Sequence, residues 1–405
     1  MSIRYFATNR DNENLGRNES RDKRIKLQRG GYHFVDMHAY MSHYLAEVEN
    51  ETIPASANVV DSQTEVMDNY LANPRIGNVV VCVHGFNVKF HEAQTWFSIL
   101  TDSMRHTSSL QDDLITDPLD GGKDQKKLRA KSVKPGSLTA FIGFSWPSNG
   151  NVFSYNSDQT EAIRSATSLA NLIARLRLLP NQPSINLLCH SMGNFLVCHM
   201  LRQLVNQEIL PQPSLTRPEQ TQYFDDLEKR IHRLSQSEAK SNHWKDLFFV
   251  DRYIMLAPDI ERRHVSKCIE DPSTLHTNQE QASYVGPFYS GLWHLVGEAH
   301  NFYSRFDTAL ALSNIEKDAR KIAIGAKSML DNLTFNLLDF LQRNPDQKWE
   351  QRLGATQQPI NAPGNLHSHN AVEISGREIN HSDYIDSHEI VTAIADILTS
   401  PVKRK

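Results

Sequence analysis

The chain has 405 residues, with 43 Lys and Arg against 47 Asp and Glu, a formal net charge of −4 and 39% hydrophobic residues. A slightly acidic balance argues against nucleic acid as the main partner, because binding phosphates needs a concentrated basic surface. With 22% charged residues the composition is that of a water-soluble globular chain rather than a disordered one. Short β-prone runs at Ile3–Thr8 and Gly31–Met37 flank a charged segment read as a solvated loop. The continuous apolar run Gly77–His84 reads as a parallel strand buried on both faces. A helix around Glu92–Met104 follows, then an exposed Asp/Lys/Gly-rich excursion over Gln111–Gly136. Leu138–Trp146 is the next strand, stopped by Pro147, and helical spacing from Gln159 to Leu179 is closed by Pro180.

Ser184–Cys189 is another buried strand that runs directly into the helix Met192–Val205. Leu247–Ala257 and the shorter Ala299–Ser304 are further strands, Asn370–Ser375 is a weak last strand, and a final helix covers Ser387–Leu398. Strands alternating with helices predict an α/β fold, a mostly parallel sheet with helices on both faces. The length is read as one domain, 1–405, with a polar, helical cap insertion at 206–246 and an aromatic-rich insertion at 268–297. Tyr284 to Trp293 in the latter serve either as a lid over an acyl pocket or as core packing.

The turn Cys189-His190-Ser191-Met192-Gly193 joins a buried strand to an apolar helix. That context makes it a nucleophile elbow, with Cys189 standing where the G-x-S-x-G pattern has its first glycine. An elbow holds its serine at strained backbone angles and needs small residues two positions to either side. The competing reading is that Ser191 only caps the helix it precedes. A serine hydroxyl needs a base to remove its proton and an acid to orient that base, in the order Ser, Asp or Glu, His. Asp307 and Asp259 both follow strands and are the candidate acids, and the one not used is expected to cap a helix. His381, between the last strand and the last helix, is the candidate base, with His367, His369 and His388 as neighbours that compete for the role. The oxyanion donors are then the backbone N–H of Met192 and, from the His84-Gly85-Phe86-Asn87 turn, of Phe86.

Together these motifs resemble the α/β-hydrolase superfamily and, more closely, a bacterial family of uncharacterised α/β-hydrolases. The matching segments are Ala7–Arg10, Val83–Val88 (VHGFNV), Phe144–Ser148 (FSWPS), His190–Asn194 (HSMGN), Leu256–Ile260 (LAPDI), Asp307–Ser313, Arg352–Gly354 and His381–Tyr384. The resemblance implies the α/β-hydrolase fold, favours Asp307 over Asp259 and supports His381. It names no substrate. The function expected is cleavage of a carboxylic ester, small-molecule or lipid, through an acyl-Ser191 intermediate. Thioester hydrolysis or acyl transfer would use the same groups, and an inactive binding module on the same fold is the alternative from another class.

No cofactor or metal is expected. The strong zinc signatures CxxC and HExxH are absent, and the H-x-H of His367 and His369 lacks carboxylate or cysteine partners at ligand spacing. Four cysteines are too few for a disulfide framework, Met1–Asn14 has no signal-peptide core, and no apolar run approaches the roughly 18 residues of a spanning helix. A cytoplasmic, reduced protein without a transmembrane segment is the expectation.

Overall fold

Among the described residues nine strands form one sheet, and its geometry follows from where the apolar residues stand. The computed structural model describes residues 3, 5–10, 32–36, 63–88, 90–107, 110, 114–115, 134–148, 155–205, 243–265, 289, 291–310, 352–359 and 362–401. In chain order the strands are Tyr5–Thr8 (β1), His33–Asp36 (β2), Ile76–Val83 (β3), Leu114–Ile115 (β4), Leu138–Ser145 (β5), Ser184–His190 (β6), Val250–Leu256 (β7), Val296–Tyr303 (β8) and Leu366–Asn370 (β9). Their spatial order is β2-β1-β5-β3-β6-β7-β8-β9, with β4 set against β5. Among the described strands only β1 and β2 pair antiparallel, and every other strand pairing is parallel.

The helices are Gln63–Leu71 (α1), Phe90–Met104 (α2), Tyr155–Arg177 (α3), Met192–Val205 (α4), His243–Phe248 (α5), Gly291–His294 (α6), Ala371–Ser375 (α7) and His388–Thr399 (α8). They cover both faces of the sheet. Val79, Val81 and Val83 of β3 share a core cluster with Met67, Leu169, Ile173, Leu196 and Met200 from α1, α3 and α4. Val80 and Cys82, pointing the other way, share a second cluster with Phe97, Leu100, Ile390 and Ile394 from α2 and α8. Alternate residues of a strand face opposite sides, so a strand covered on both faces must be apolar along its buried length, as β3 is from Val79 to Val83. Each fully buried Val, Leu, Ile or Phe contributes roughly 1.5–3 kcal/mol.

Several boundaries differ from the sequence reading. The run expected as a strand over 370–375 is the helix α7. Asn370 caps it by accepting from the Val372 amide, and Gly376 closes it at φ 67. The strand lies just before, at Leu366–Asn370, where only the first residue is buried; edge pairing with β8 rather than an apolar pattern makes it a strand. The start of the predicted strand 247–257 is instead the end of α5. Leu114–Ile115, inside the predicted excursion, adds a two-residue strand to β5. Residues 206–242 and 266–288, most of the two expected insertions, lie outside the described residues, as do Tyr284, Phe288 and Cys268. Tyr289 at the end of the aromatic stretch is 1% exposed and packs on His199 and His264 with ring centroids 5.4 and 5.6 Å apart, a core position.

Candidate active site

The C-terminal ends of β3, β6, β7 and β8 converge on Ser191. This residue has φ 52, the left-handed region that costs a side-chain-bearing residue free energy. The strain is held in place by its surroundings. The Ser191 amide donates to the Leu256 carbonyl at 3.0 Å, and the Ser191 carbonyl accepts from the amides of Asn194 at 3.0 Å and Asp259 at 3.3 Å. The buried Asn194 side-chain amide stands 3.2 Å from each of the Cys189, Ser191 and Leu256 carbonyls, while the Tyr253 hydroxyl donates to its Oδ1 at 2.9 Å. A Cβ on Gly193 would meet the carbonyl oxygens of His84 at 2.6 Å and Val83 at 2.8 Å, so only glycine lets α4 approach β3 this closely. Cys189, at the position of the missing glycine, is fully buried, and burial, then the neighbouring Cys82 and Cys198, push its thiol well above the ordinary value.

His381 and Asp307 are brought together across 74 residues. Nδ1 of His381 lies 2.9 Å from both carboxylate oxygens of Asp307, which is fully buried. A carboxylate only accepts, so Nδ1 carries the proton and Nε2 is the free basic nitrogen. Burial alone would lower the His381 pKa. The charge and hydrogen bond of Asp307, helped by the charge of Asp259, outweigh it, and the net shift is upward. Asn380 braces the pair: its Oδ1 accepts from the His381 amide at 3.0 Å and from the Thr308 hydroxyl at 3.0 Å. Asp307 also accepts the Leu310 amide at 3.2 Å, so the capping role foreseen for the unused acid is filled by this one as well.

His190 ties this pair to the elbow. Its Nε2–H donates to the His381 carbonyl at 2.8 Å, its ring stands 4.7 Å from the His381 ring, and Trp96 packs on its other side at 5.0 Å. Burial, then the neighbouring His381, lowers its pKa to about 3, so it stays neutral. No hydrogen bond joins Ser191 Oγ to His381 among the described residues. Such bonds are often loose without substrate and tighten in the complex.

The HGFN turn lies against the serine. A Cβ on Gly85 would stand 2.8 Å from Ser191 Cβ, which sets the Phe86 backbone beside the elbow. Met192 opens α4, and the first amides of a helix have no partner within it. The two expected oxyanion donors therefore border the same serine from adjacent strands, β3 and β6. The Phe86 ring meets Tyr155 edge-on at 5.4 Å.

Asp259 is otherwise engaged. Its Oδ1 pairs with Arg352 Nη1 at 3.1 Å and its Oδ2 accepts from the Tyr155 hydroxyl, with Asp259 2% and Arg352 1% exposed. Of the other histidines considered, His388 begins α8, and His367 and His369 lie on β9 at the sheet edge.

Residues 59–398 match the family described as alpha/beta hydrolase of unknown function (DUF900). The chain belongs to this alpha/beta hydrolase family. It is also 42% identical over 400 residues to an uncharacterised protein of Nostoc sp. (strain PCC 7120), covering 98% of this chain and 94% of that relative.

Within this hydrolase fold, several residues around Ser191 carried a sequence signal but no assigned part: Asn194 in HSMGN, Arg352 in RLG and Arg10 in the N-terminal ATNR. Tyr155 carried none. His300 Nδ1 on β8 lies 3.0 Å from His369 Nε2. Among the described residues no group of three His, Cys, Asp or Glu side chains is arranged to hold a metal ion, and no helix is long and apolar enough to cross a membrane.

Proposed function

We propose that this hydrolase cleaves carboxylic esters through an acyl-Ser191 intermediate, with His381 as general base and acid and Asp307 as its orienter. The observation that carries the reading is the Nδ1 of His381 held at 2.9 Å from both oxygens of a buried carboxylate and tied through His190 to the adjoining serine at φ 52. In the first half-reaction Ser191 Oγ attacks the ester carbonyl as its proton passes to His381 Nε2. The oxyanion is received by the N–H groups of Met192 and Phe86. Collapse expels the alkoxide, which takes the proton from His381 and leaves as the alcohol. Water then loses a proton to His381 as it attacks the acyl carbon, and Ser191 recovers that proton as the acid departs.

Phe86, Val88 and Trp96, partly buried apolar side chains packed against the core clusters, fit an apolar acyl or alkyl group. The buried thiols Cys82, Cys189 and Cys198 suit a reducing, cytoplasmic setting. Labelling with a fluorophosphonate probe, which traps only an activated serine, tests the reading. Wild type is expected to label, and Ser191→Ala and His381→Ala are not. A well-folded wild type that stays unlabelled would shift the reading to an inactive binding module. An active enzyme that prefers thioesters, or an acyl acceptor other than water, would revise the substrate but keep the residues.

A further inference from the structure

We propose that Arg10 is a positioning residue for the oxyanion turn, its guanidinium fork bridging Ser145 and the Val88 carbonyl so as to fix the Phe86 amide relative to Ser191. The inference rests on the reading of Ser191 as nucleophile. Arg10 follows β1, which borders β5, and it is 6% exposed. Its own backbone is anchored first: the Thr8 hydroxyl donates to the Ser145 carbonyl at 2.7 Å and accepts from the Arg10 amide at 3.0 Å. From that fixed point Nε donates to Ser145 Oγ at 2.9 Å and Nη2 to the Val88 carbonyl at 2.9 Å. Two donors at a set angle reach two acceptors on segments 135 and 78 residues away, a task suited to a planar guanidinium and not to a single ammonium.

Several other holds on residues 84–88 run through Ser145 and its neighbour Trp146. His84 Nε2 accepts the Trp146 amide at 3.1 Å, so its proton is on Nδ1 and is donated to the Gly85 carbonyl at 2.9 Å. The same Nε2 lies 3.2 Å from the Ser145 hydroxyl that receives Arg10. Trp146 stacks on the ring at 5.3 Å and donates its indole N–H to the His84 carbonyl at 2.9 Å. Burial, then the positive charge of Arg10, keeps His84 neutral, with a pKa lowered to about 3. On the far side of the turn the Val88 amide donates to Ser148 Oγ at 3.3 Å, and that hydroxyl donates to Asp158 at 2.8 Å. Val88 is thus gripped at both its amide and its carbonyl, two residues from the Phe86 amide. A planar fork on an anchored, buried backbone reaches both acceptors at once, and that bridge is the part the geometry gives Arg10 at this turn.

Displacing a catalytic group by about 1 Å can cost on the order of 100-fold in rate. In the full-length protein, Arg10→Gln is therefore expected to lower kcat on a p-nitrophenyl ester by roughly 10- to 100-fold while KM moves less than about 3-fold. Affinity for a trifluoromethyl ketone, whose adduct places an oxyanion in the hole, should fall in parallel with kcat/KM. Arg10→Lys should recover little, and Ser145→Ala, which removes one of the two acceptors, should show a smaller loss of the same pattern. Hydrogen exchange of the amides at 84–88 should rise in Arg10→Gln and in Ser145→Ala, a readout that does not need activity. If the wild type proves inactive yet Arg10→Gln loosens only this turn, the clamp stands and the hydrolase reading falls. Unchanged kcat and ketone affinity in an active enzyme would overturn the inference, as would a fall in thermal midpoint without the split between kcat and KM. Should Arg10→Gln not fold, a Ser145→Ala enzyme with unaltered kcat and unaltered exchange decides against it.

Discussion

The two turns that meet at Ser191 leave neighbouring strands, β6 and β3, and are secured in opposite ways. At the elbow the restraints are neutral and close at hand: the Asn194 amide, the Tyr253 hydroxyl and the backbone of the adjoining strand β7. At the oxyanion turn they include a buried charge, Arg10 beyond β1, and the Ser145 hydroxyl and Trp146 amide at the end of β5, which hold the turn's own neutral imidazole, His84. A strained φ in a short strand–helix turn can be locked by groups a few residues or one strand away. A turn whose amide must face a neighbour's side chain needs anchors outside itself. The elbow should accordingly respond to substitution mainly in stability, and the oxyanion turn mainly in rate.

The largest effect that would sharpen this contrast belongs to neither turn. Asp307→Asn removes the charge and replaces one of the two oxygens facing His381 Nδ1 by an N–H donor, so the tautomer is no longer enforced and a loss of roughly 10⁴-fold in kcat is expected. The pH profile carries the sign. In the wild type the carboxylate raises the His381 pKa, so with His381 as the base the acid limb of kcat/KM is expected above the ordinary histidine value of about 6.5. Activity is lost as pH falls through it, because the imidazolium cannot accept the serine proton. In Asp307→Asn burial prevails and the limb should move to lower pH; a limb that stays in place would mean another group sets it.

Next in size, Asn194→Ala deletes an amide shared by three carbonyls and takes from the Tyr253 hydroxyl its nearer acceptor, leaving the residue-194 carbonyl at 3.3 Å. Unsatisfied buried groups cost about 1–3 kcal/mol, to be read from denaturant unfolding. If the elbow is held as argued, the folded remainder should keep a kcat much closer to wild type than Arg10→Gln does. The reverse order would break the comparison. The smallest effect is expected for Cys189→Ala, which brings the elbow nearer to the glycine pattern at a site that already accepts a buried thiol. Stability should change by no more than about 1–2 kcal/mol, and labelling by the fluorophosphonate should persist. In the folded wild type, peptide mapping after alkylation should find Cys82, Cys189 and Cys198 protected, since burial suppresses their thiolates.

The strands β3, β5 and β6 and the helices α2, α3 and α4 were legible because residues buried on two faces leave an unbroken apolar run and residues buried on one leave a helical period. The edge strand β9 was not. Leu366–Asn370 reads Leu-His-Ser-His-Asn, mostly polar, and becomes a strand only by pairing its backbone with β8. The apolar residues just after it, which suggested a strand, belong to a capped one-turn helix instead. Asn194, Arg352 and Arg10 stood inside recognisable motifs, yet their partners lie far enough along the chain that no spacing rule connects them.

From its sequence alone this chain determined the alternation of strand and helix, the serine between β6 and α4, and the turn that faces it. Each of these depends on local period, on Gly and Pro, and on residues within one turn. Only the tertiary structure shows the partner that each acid meets, although the motif resemblance already favoured Asp307 for the histidine. Asp259 and Asp307 both follow parallel strands and look alike in sequence, but Arg352 and Tyr155 reach the first while Nδ1 of His381 reaches the second. Hydrogen bonds and buried ion pairs act only at contact distance, and contact between residues 74 positions apart is set by the packing of the whole sheet.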